Sequence, residues 1–168
     1  MLPSQQPDNS SEPLIVAGKG WGKVVLSLDR KTVEGLIGEG QERIQFETVY
    51  LIGYPSKGIQ ISYGRRYDTL RNIYFYNGQH DYKSFATFQG RTDRGVDWKA
   101  SPEDVIKAYG KPEADYEGVY GKPKEPEGVG WRRIVFSGID FRWESRVMVR
   151  IGILQVLECY SITRRRPF

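Results

Sequence analysis

Apolar and polar residues alternate along several short segments of the chain, as they do in strands that bury one face. In the segment KGIQISY every second residue is apolar, namely Ile59, Ile61 and Tyr63. Gln60 and Ser62 occupy the positions between them. The segment SGIDFRW follows the same alternation, and LRNIYFY and RVMVRIGIL also read as strands. The pattern therefore predicts antiparallel strands with one apolar and one polar face.

Two other short segments carry the signals of helices. In SPEDVIKAYGKP, Ser101 is suited to the N-cap and Pro102 to the first helical position, while Gly110 ends the pattern. In DRKTVEGLIGEG, Asp29 takes the cap position and Gly38 corresponds to Gly110. The sequence predicts one short helix in each segment, and the two caps are 72 positions apart.

The same offset extends beyond the helices, which indicates an internal repeat. It also matches Gly18 with Gly90 and Val33 with Val105. The segments KGIQISY and SGIDFRW lie 80 positions apart instead, and the eight additional residues fit the polar segment 121–128. We therefore expect an α+β fold class, with two tandem helix-on-antiparallel-sheet units forming one continuous sheet and the short helices on one face.

The repeat also sets the predicted domain organisation. The two tandem units span about 14–86 and 87–157, and a polar inserted loop lies near 114–131 in the second unit. The predicted parts of the chain are a disordered N-terminal arm at 1–13, a single domain at 14–157 and a basic C-terminal tail at 158–168.

The segments DRKTVEGLIG, SPEDVIKAYGKP, KGIQISY and SGIDFRW together carry a resemblance to known families. The tandem unit resembles the repeats of the β-lactamase inhibitory protein and the unit of small outer-membrane assembly lipoproteins of the SmpA/OmlA type. It is also similar to the duplicated unit of the eukaryotic phagophore assembly factor family. The resemblance implies a non-enzymatic protein that binds another macromolecule with its sheet face. The structural or lipid-bearing cysteines of the inhibitory protein and the lipoproteins have no counterpart in this chain.

Composition and charge narrow the classes of function. The chain has 168 residues and a formal net charge of +4, with Cys159 as its one cysteine and His80 as its one histidine. This excludes an intramolecular disulfide and a zinc site built on CxxC pairs. No run of 18 apolar residues is present, and the first residues lack the features of a signal peptide. We expect a soluble protein, either cytoplasmic or exported in a form without its signal segment.

The polar side of the predicted sheet is the first candidate binding site, because tyrosine, methionine and arginine are enriched at protein interfaces. The candidate contact residues on this side are Tyr74, Tyr76, Arg133, Arg142, Met148 and Arg150, beside Gln60, Ser62 and Asp140. Tyr116 and Tyr120 in the predicted loop are expected at its rim. The tyrosines would anchor a protein partner and the arginines would pair with its acidic surface. The alternative interpretation is an exposed sheet face that arginine keeps soluble.

Clusters of arginine suggest a second interpretation, which is nucleic-acid binding through phosphate contacts and base stacking. The clusters contain Arg65 and Arg66, Arg91 and Arg94, and Arg164, Arg165 and Arg166. Acidic residues such as Asp68 and Asp93 are interspersed among them, which favours charged turns and a solvated tail.

A third interpretation is an enzyme with a site near His80, which stands beside Asp81 in the turn NGQHDY. No recognisable motif places a nucleophile or a second base beside this histidine. The segment AGKGWGK lacks the serine or threonine that a phosphate-binding P-loop requires after its lysine, and it is more typical of a turn. The sequence indicates no cofactor and no metal site, and we expect the protein not to be an enzyme.

Overall fold

The computed structural model of the chain describes residues 12–80, 83–120, 129–143 and 147–152. In this part of the chain the helices are α1 (Arg30–Ile37) and α2 (Pro102–Tyr109), and a 3₁₀ turn spans Pro55–Lys57. The strands are β1 (Ile15–Val16), β2 (Gly20–Trp21), β3 (Val24–Val25), β4 (Glu42–Gln45), β5 (Val49–Tyr54), β6 (Ile59–Gly64), β7 (Thr69–His80), β8 (Lys83–Thr87), β9 (Ala114–Tyr120), β10 (Val129–Phe136), β11 (Ile139–Trp143) and β12 (Val147–Gly152).

Both helices begin and end where the sequence predicts. At α1 the Asp29 carboxylate accepts a hydrogen bond from the Thr32 backbone N–H at 2.9 Å. At α2 the Ser101 hydroxyl accepts from the Asp104 N–H at 3.1 Å, and the Asp104 carboxylate accepts from the Ser101 N–H at 3.0 Å, which is a complete capping box. Gly38 and Gly110 follow the helices at φ 89° and 86°, a region that favours glycine. The two helix predictions are confirmed.

Most strands belong to one antiparallel sheet with the order β4-β5-β6-β7-β12-β11-β10-β9. We call this the main sheet. Strands β7 and β12 pair at its centre, so the strands before α2 form one half and the strands after α2 form the other. Strands β1, β2 and β3 form a separate three-stranded sheet, and β8 pairs with β7 off the main order.

The predicted α+β fold class, with one continuous sheet and the short helices on one face, is wrong. The described residues are mostly strand, their two helices have eight residues each, and the strands divide among three antiparallel sheets. The segment before α1 bends at Gly18 and Gly22, both at positive φ, and forms a sheet of its own. Strand β8 folds back and pairs with β7, so it does not extend the main sheet.

The described residues of the predicted inserted loop near 114–131 lie in strands. Strand β9 pairs with β10 in continuous register from Ala114 opposite Val135 to Tyr120 opposite Val129. The glycine- and proline-rich segment 121–128 lies outside the described residues. The predicted arm and tail lie outside the described residues, apart from residues 12 and 13, and the domain boundaries stay predictions.

One hydrophobic core joins both helices to the apolar face of the main sheet. The predicted alternation is confirmed there, because Ile59, Ile61 and Tyr63 are fully buried. Each helix contributes a fully buried valine, Val33 from α1 and Val105 from α2. Burying an aliphatic side chain of this size contributes about 1.5–3 kcal/mol to folding.

Candidate functional site

The register of the main sheet places the predicted contact residues on a single face, in neighbouring rows. Residues directly opposite each other in paired strands share a face of the sheet. The first row of consecutive Cα partners is Tyr76, Met148, Arg142, Arg133 and Tyr116. The second row is Gln60, Tyr74, Arg150, Asp140, Val135 and Ala114. Tyr120 lies four residues beyond Tyr116 in β9 and therefore shares this side, which we call the polar face.

Much of the polar face is buried, which corrects the prediction that it is a solvent face. Gln60, Ser62 and Tyr76 are 7%, 1% and 5% exposed. The Tyr76 hydroxyl donates a hydrogen bond to the Gln60 side-chain oxygen at 2.8 Å, and its ring packs on Phe85 with centroids 4.6 Å apart. Because Phe85 belongs to β8, the fold-back of this strand covers the ring that was predicted to anchor a partner.

The polar face is more exposed at its β9 end than at its centre. Tyr116 is 53% exposed, and the Arg133 side chain is 36% exposed. The Arg133 guanidinium donates to the buried Asp140 carboxylate through Nε at 2.9 Å and through Nη2 at 2.5 Å. Arg142 stands directly opposite Arg133 and is half-buried. We call Tyr116, Arg133, Asp140 and Arg142 the arginine patch.

Trp131 lies next to the arginine patch, and it was not among the contact residues predicted from the sequence. It lies directly opposite Gly118, and a Cβ added at Gly118 would lie 2.8 Å from its indole ring. The ring therefore packs over the glycine, on the same face as Arg133 two residues later. Trp131 stands two positions before Arg133 in GWRRIV, and this spacing within a strand is the signal that could have indicated its position.

Alternation along β10 gives the two adjacent arginines different roles. Arg132 faces the opposite side from Arg133, where it donates to the Asp115 carboxylate at 3.0 and 2.8 Å and to Glu103 of α2 at 3.1 Å. The Arg132 guanidinium lowers the pKa of Asp115, and hydrogen bonds to Asp115 raise the pKa of Arg132. Arg132 therefore ties the β9–β10 pair to α2, while Arg133 belongs to the arginine patch.

The structure places the other predicted contact residues as follows. Tyr74 is half-buried in the second row of the polar face. Met148, Arg150 and Tyr120 have the face positions given above, and their side chains lie outside what the structure describes.

The predicted nucleic-acid residues lie in different connections of the chain. Arg65 and Arg66 lie between β6 and β7, where Arg65 donates to the Phe46 carbonyl at 3.2 Å and Arg66 lies 5.1 Å from the Tyr67 ring centroid. Arg91 and Arg94 lie between β8 and α2.

Local contacts hold this second pair of arginines. Arg94 donates to the Ala108 carbonyl at 3.0 Å and lies 4.9 Å from the Tyr109 ring centroid. The Arg91 carbonyl accepts from the Ile15 N–H at 3.0 Å. Arg164, Arg165 and Arg166 lie outside the described residues.

The His80 region offers no catalytic arrangement that the described residues reveal. His80 ends β7 with Lys83 as its Cα partner. Its side chain and the whole of Asp81 lie outside what the structure describes. An open cleft of about 590 Å³ is lined by Asn77, Arg91 and Trp98, among others. Within the described ranges, no three His, Cys, Asp or Glu side chains are grouped to hold a metal ion, and no helix is long and apolar enough to cross a membrane.

Comparison with known proteins gives no match to a family model, a curated protein or a solved structure. The resemblance of the repeated segments to the inhibitory protein, the lipoproteins and the phagophore assembly factor family therefore stays a prediction.

Proposed function

We propose that this protein is a non-enzymatic binding or assembly module that contacts an acidic surface of another protein through the arginine patch. The observation that carries the proposal is the row Arg142, Arg133 and Tyr116, in which an oriented arginine lies beside an exposed tyrosine on a rigid sheet. Sites on paired strands hold their side chains more precisely than sites on loops.

Electrostatics supports an acidic partner. Arg133 and Arg142 stand directly opposite each other, and both carry positive charge. Asp140 orients the Arg133 guanidinium through two hydrogen bonds. A guanidinium that is already oriented loses little entropy when it binds a carboxylate of a partner.

Tyr116 supplies the apolar contact area that such an interaction needs. Its ring is exposed next to Arg133, and tyrosine and arginine are the residue types that most often dominate binding energy at interfaces. Trp131 lies on the same face nearby. Within the described residues, no comparable arrangement supports the predicted nucleic-acid site or the predicted enzyme site near His80, and both stay predictions.

The proposal can be tested by site-specific photo-crosslinking. A photo-reactive phenylalanine analogue would replace Tyr116 in cells that naturally produce the protein. The matched control would carry the same analogue at Tyr67, which is 61% exposed in the turn between β6 and β7. We expect a discrete protein to be captured from position 116 and not from position 67. Capture of nucleic acid, or equal capture at both positions, would contradict the proposal.

The captured protein would then be titrated against purified variants. We expect Tyr116→Ala to weaken binding by about tenfold or more, and Tyr67→Ala to leave it unchanged. Arg133→Lys keeps a positive charge beside Asp140 but loses the two simultaneous hydrogen bonds of the guanidinium, so it should weaken binding as well. If Tyr67→Ala weakens binding as much as Tyr116→Ala, the contact surface lies elsewhere.

A further inference from the structure

An open cleft of about 700 Å³ is lined by the three-stranded sheet, the residues just before it and the end of α1. We call it the α1 cleft. Its apolar wall includes the side chains of Leu14, Val16, Trp21, Val25, Leu36 and Ile37. Val25 and Leu36 are 40% and 43% exposed there, although both are aliphatic. Clefts of about 300–1,000 Å³ with mostly apolar walls are typical of small-molecule binding sites.

The second half of the repeat has a side chain at the place that corresponds to this cleft. Arg94 donates to the Ala108 carbonyl at 3.0 Å, and its guanidinium lies 4.9 Å from the Tyr109 ring centroid. The offset of 72 positions relates these three residues to Gly22, Leu36 and Ile37. Val33 and Val105, related by the same offset, are both fully buried, so the two helices pack alike. Because glycine has no side chain, the first half leaves open the place that the arginine covers in the second half.

The walls of the α1 cleft are held in place by contacts within the chain. The Trp21 indole N–H donates to the Pro13 carbonyl at 3.0 Å, and its ring packs edge-to-face with Phe88 at a centroid distance of 5.4 Å. The Gly22 N–H donates to the Leu14 carbonyl at 3.2 Å, which ties the residues before β1 to the turn between β2 and β3. A preformed site loses less entropy on binding than a site that must first become ordered.

The mouth of the α1 cleft carries a net positive charge. Lys19 and Lys23 line the cleft and are exposed, so their ammonium groups lie at its opening. Glu12 is the one acidic side chain among the described residues that line it. An ammonium group forms strong, charge-assisted hydrogen bonds with a carboxylate. An apolar wall below two lysines therefore suits a ligand that joins an apolar chain to an anionic head group.

A hydrocarbon chain suits this wall better than a peptide does. An extended peptide brings backbone N–H and C=O groups, and these are costly to bury without hydrogen-bond partners. The aliphatic side chains of the wall offer no such partners, and the Trp21 indole N–H is already bonded to Pro13. A hydrocarbon chain has no polar groups to satisfy, so its removal from water is favourable without them.

We propose that the α1 cleft binds a fatty acid. The hydrocarbon chain lies against Trp21, Val25 and Leu36, and the carboxylate lies at Lys19 and Lys23. Burial of the chain supplies most of the affinity, and the two lysines select a carboxylate over an uncharged head group. The α1 cleft shares no residue with the arginine patch, so this inference does not depend on the proposed function.

The test is isothermal titration calorimetry of the full chain with decanoate, octanoate and decanol. We expect decanoate to bind at a single site. Octanoate should bind about tenfold more weakly, because two fewer methylene groups leave water. Decanol should also bind more weakly than decanoate, because it has the same chain without the charge. If decanoate does not bind, or if decanol binds as tightly as decanoate, the proposal is overturned.

Tryptophan substitutions locate the chain of the ligand. Leu36→Trp places a large ring in the cleft and should weaken decanoate binding by about tenfold or more. The matched control is Ile44→Trp, which adds the same ring at an apolar position of similar exposure, 44%, outside the cleft. Val25→Trp obstructs the cleft from β3 and replaces Leu36→Trp if circular dichroism shows that the helix variant is misfolded. Equal effects inside and outside the cleft would contradict the proposal.

Charge reversals locate the head group. Lys19→Glu and Lys23→Glu should each weaken decanoate binding by about tenfold and leave decanol binding unchanged. The matched control is Lys57→Glu, which makes the same change in net charge at an exposed position in the 3₁₀ turn, away from the residues that line the cleft. If Lys57→Glu weakens decanoate binding as much as the other two variants, the carboxylate does not lie at Lys19 and Lys23.

Discussion

The two halves of the main sheet turn at corresponding glycines that meet different neighbours. Gly58 precedes β6 at φ 68°, and Gly138 precedes β11 at φ 76°. Gly58 lies against the end of β8, where an added Cβ would be 2.3 Å from the Ala86 carbonyl oxygen. Gly138 lies against the three-stranded sheet, where an added Cβ would be 2.4 Å from the Gly18 nitrogen. Each turn is therefore the place where one of the additional sheets packs on the main sheet.

The same glycine turn therefore occurs at two places in the main sheet and contacts a different distant segment at each. A glycine is required at both turns for the same backbone reason, since φ near 70° strains other residues. Its second role, close approach of another backbone, is filled by different segments. The Gly138 carbonyl accepts a hydrogen bond from the Gly18 N–H at 2.9 Å, so this contact also satisfies backbone groups. Loss of either glycine should therefore affect more than its own turn.

The largest effect is expected from adding a methyl group at these turns. Gly58→Ala and Gly138→Ala should each destabilise the protein by about 3 kcal/mol or more, because backbone strain and overpacking add. The matched control is Gly110→Ala, which has φ 86° but no atom within 4 Å of the added Cβ. Strain alone should cost this variant about 1 to 2 kcal/mol. Denaturant unfolding measures all three, and equal losses would mean that the close contacts carry no energy.

An intermediate loss of folding stability is expected at low pH, and this loss should be greater in the second half of the main sheet. Hydrogen bonds from the Thr32 side chain and backbone lower the pKa of Asp29, those from Ser101 lower the pKa of Asp104, and Arg132 lowers the pKa of Asp115. Each folded-state pKa lies below the ordinary value of 3.8. The stabilisation is therefore complete above about pH 5 and is lost as the pH falls through the folded-state values.

Thermal unfolding followed at several pH values between 6 and 2 measures this loss. Because Asp104 and Asp115 both support the second half, Asp104→Asn should reduce the acid dependence while keeping a polar side chain near Ser101. If the thermal unfolding midpoint of this variant falls with pH as steeply as that of the wild-type chain, the Asp104 charge contributes nothing at the start of α2.

The smallest change in stability is expected from a substitution within α1, and this change is a gain rather than a loss. Gly35 lies in the helix interior, where an added Cβ would have no atom within 4 Å. Gly35→Ala should stabilise the protein by up to about 1 kcal/mol, because alanine loses less backbone entropy in a helix. Gly38→Ala is the matched control, since φ 89° at the helix end strains alanine. It should destabilise, and stabilisation by both variants would contradict this account of α1.

The sequence predicted the residues of the arginine patch but not how much of the surface around them is exposed. Alternation placed Arg133, Arg142 and Tyr76 on one side of the strands, and the observed register agrees. The burial of Tyr76 depends on Phe85 of β8, and the pairing of Arg133 with Asp140 joins different strands. Tyr116 was expected in a loop and lies in β9. Contacts between distant segments decide each of these differences.

By itself, the sequence determined the features that depend on neighbouring residues. The caps of α1 and α2, the glycines that end them and the side of each strand that is apolar all follow from interactions within a few positions. The tertiary structure decided how the strands divide among three sheets and which part of the polar face remains exposed. Those outcomes depend on which distant backbones pair and which side chains cover one another, and the energy of such contacts is not encoded in any local segment.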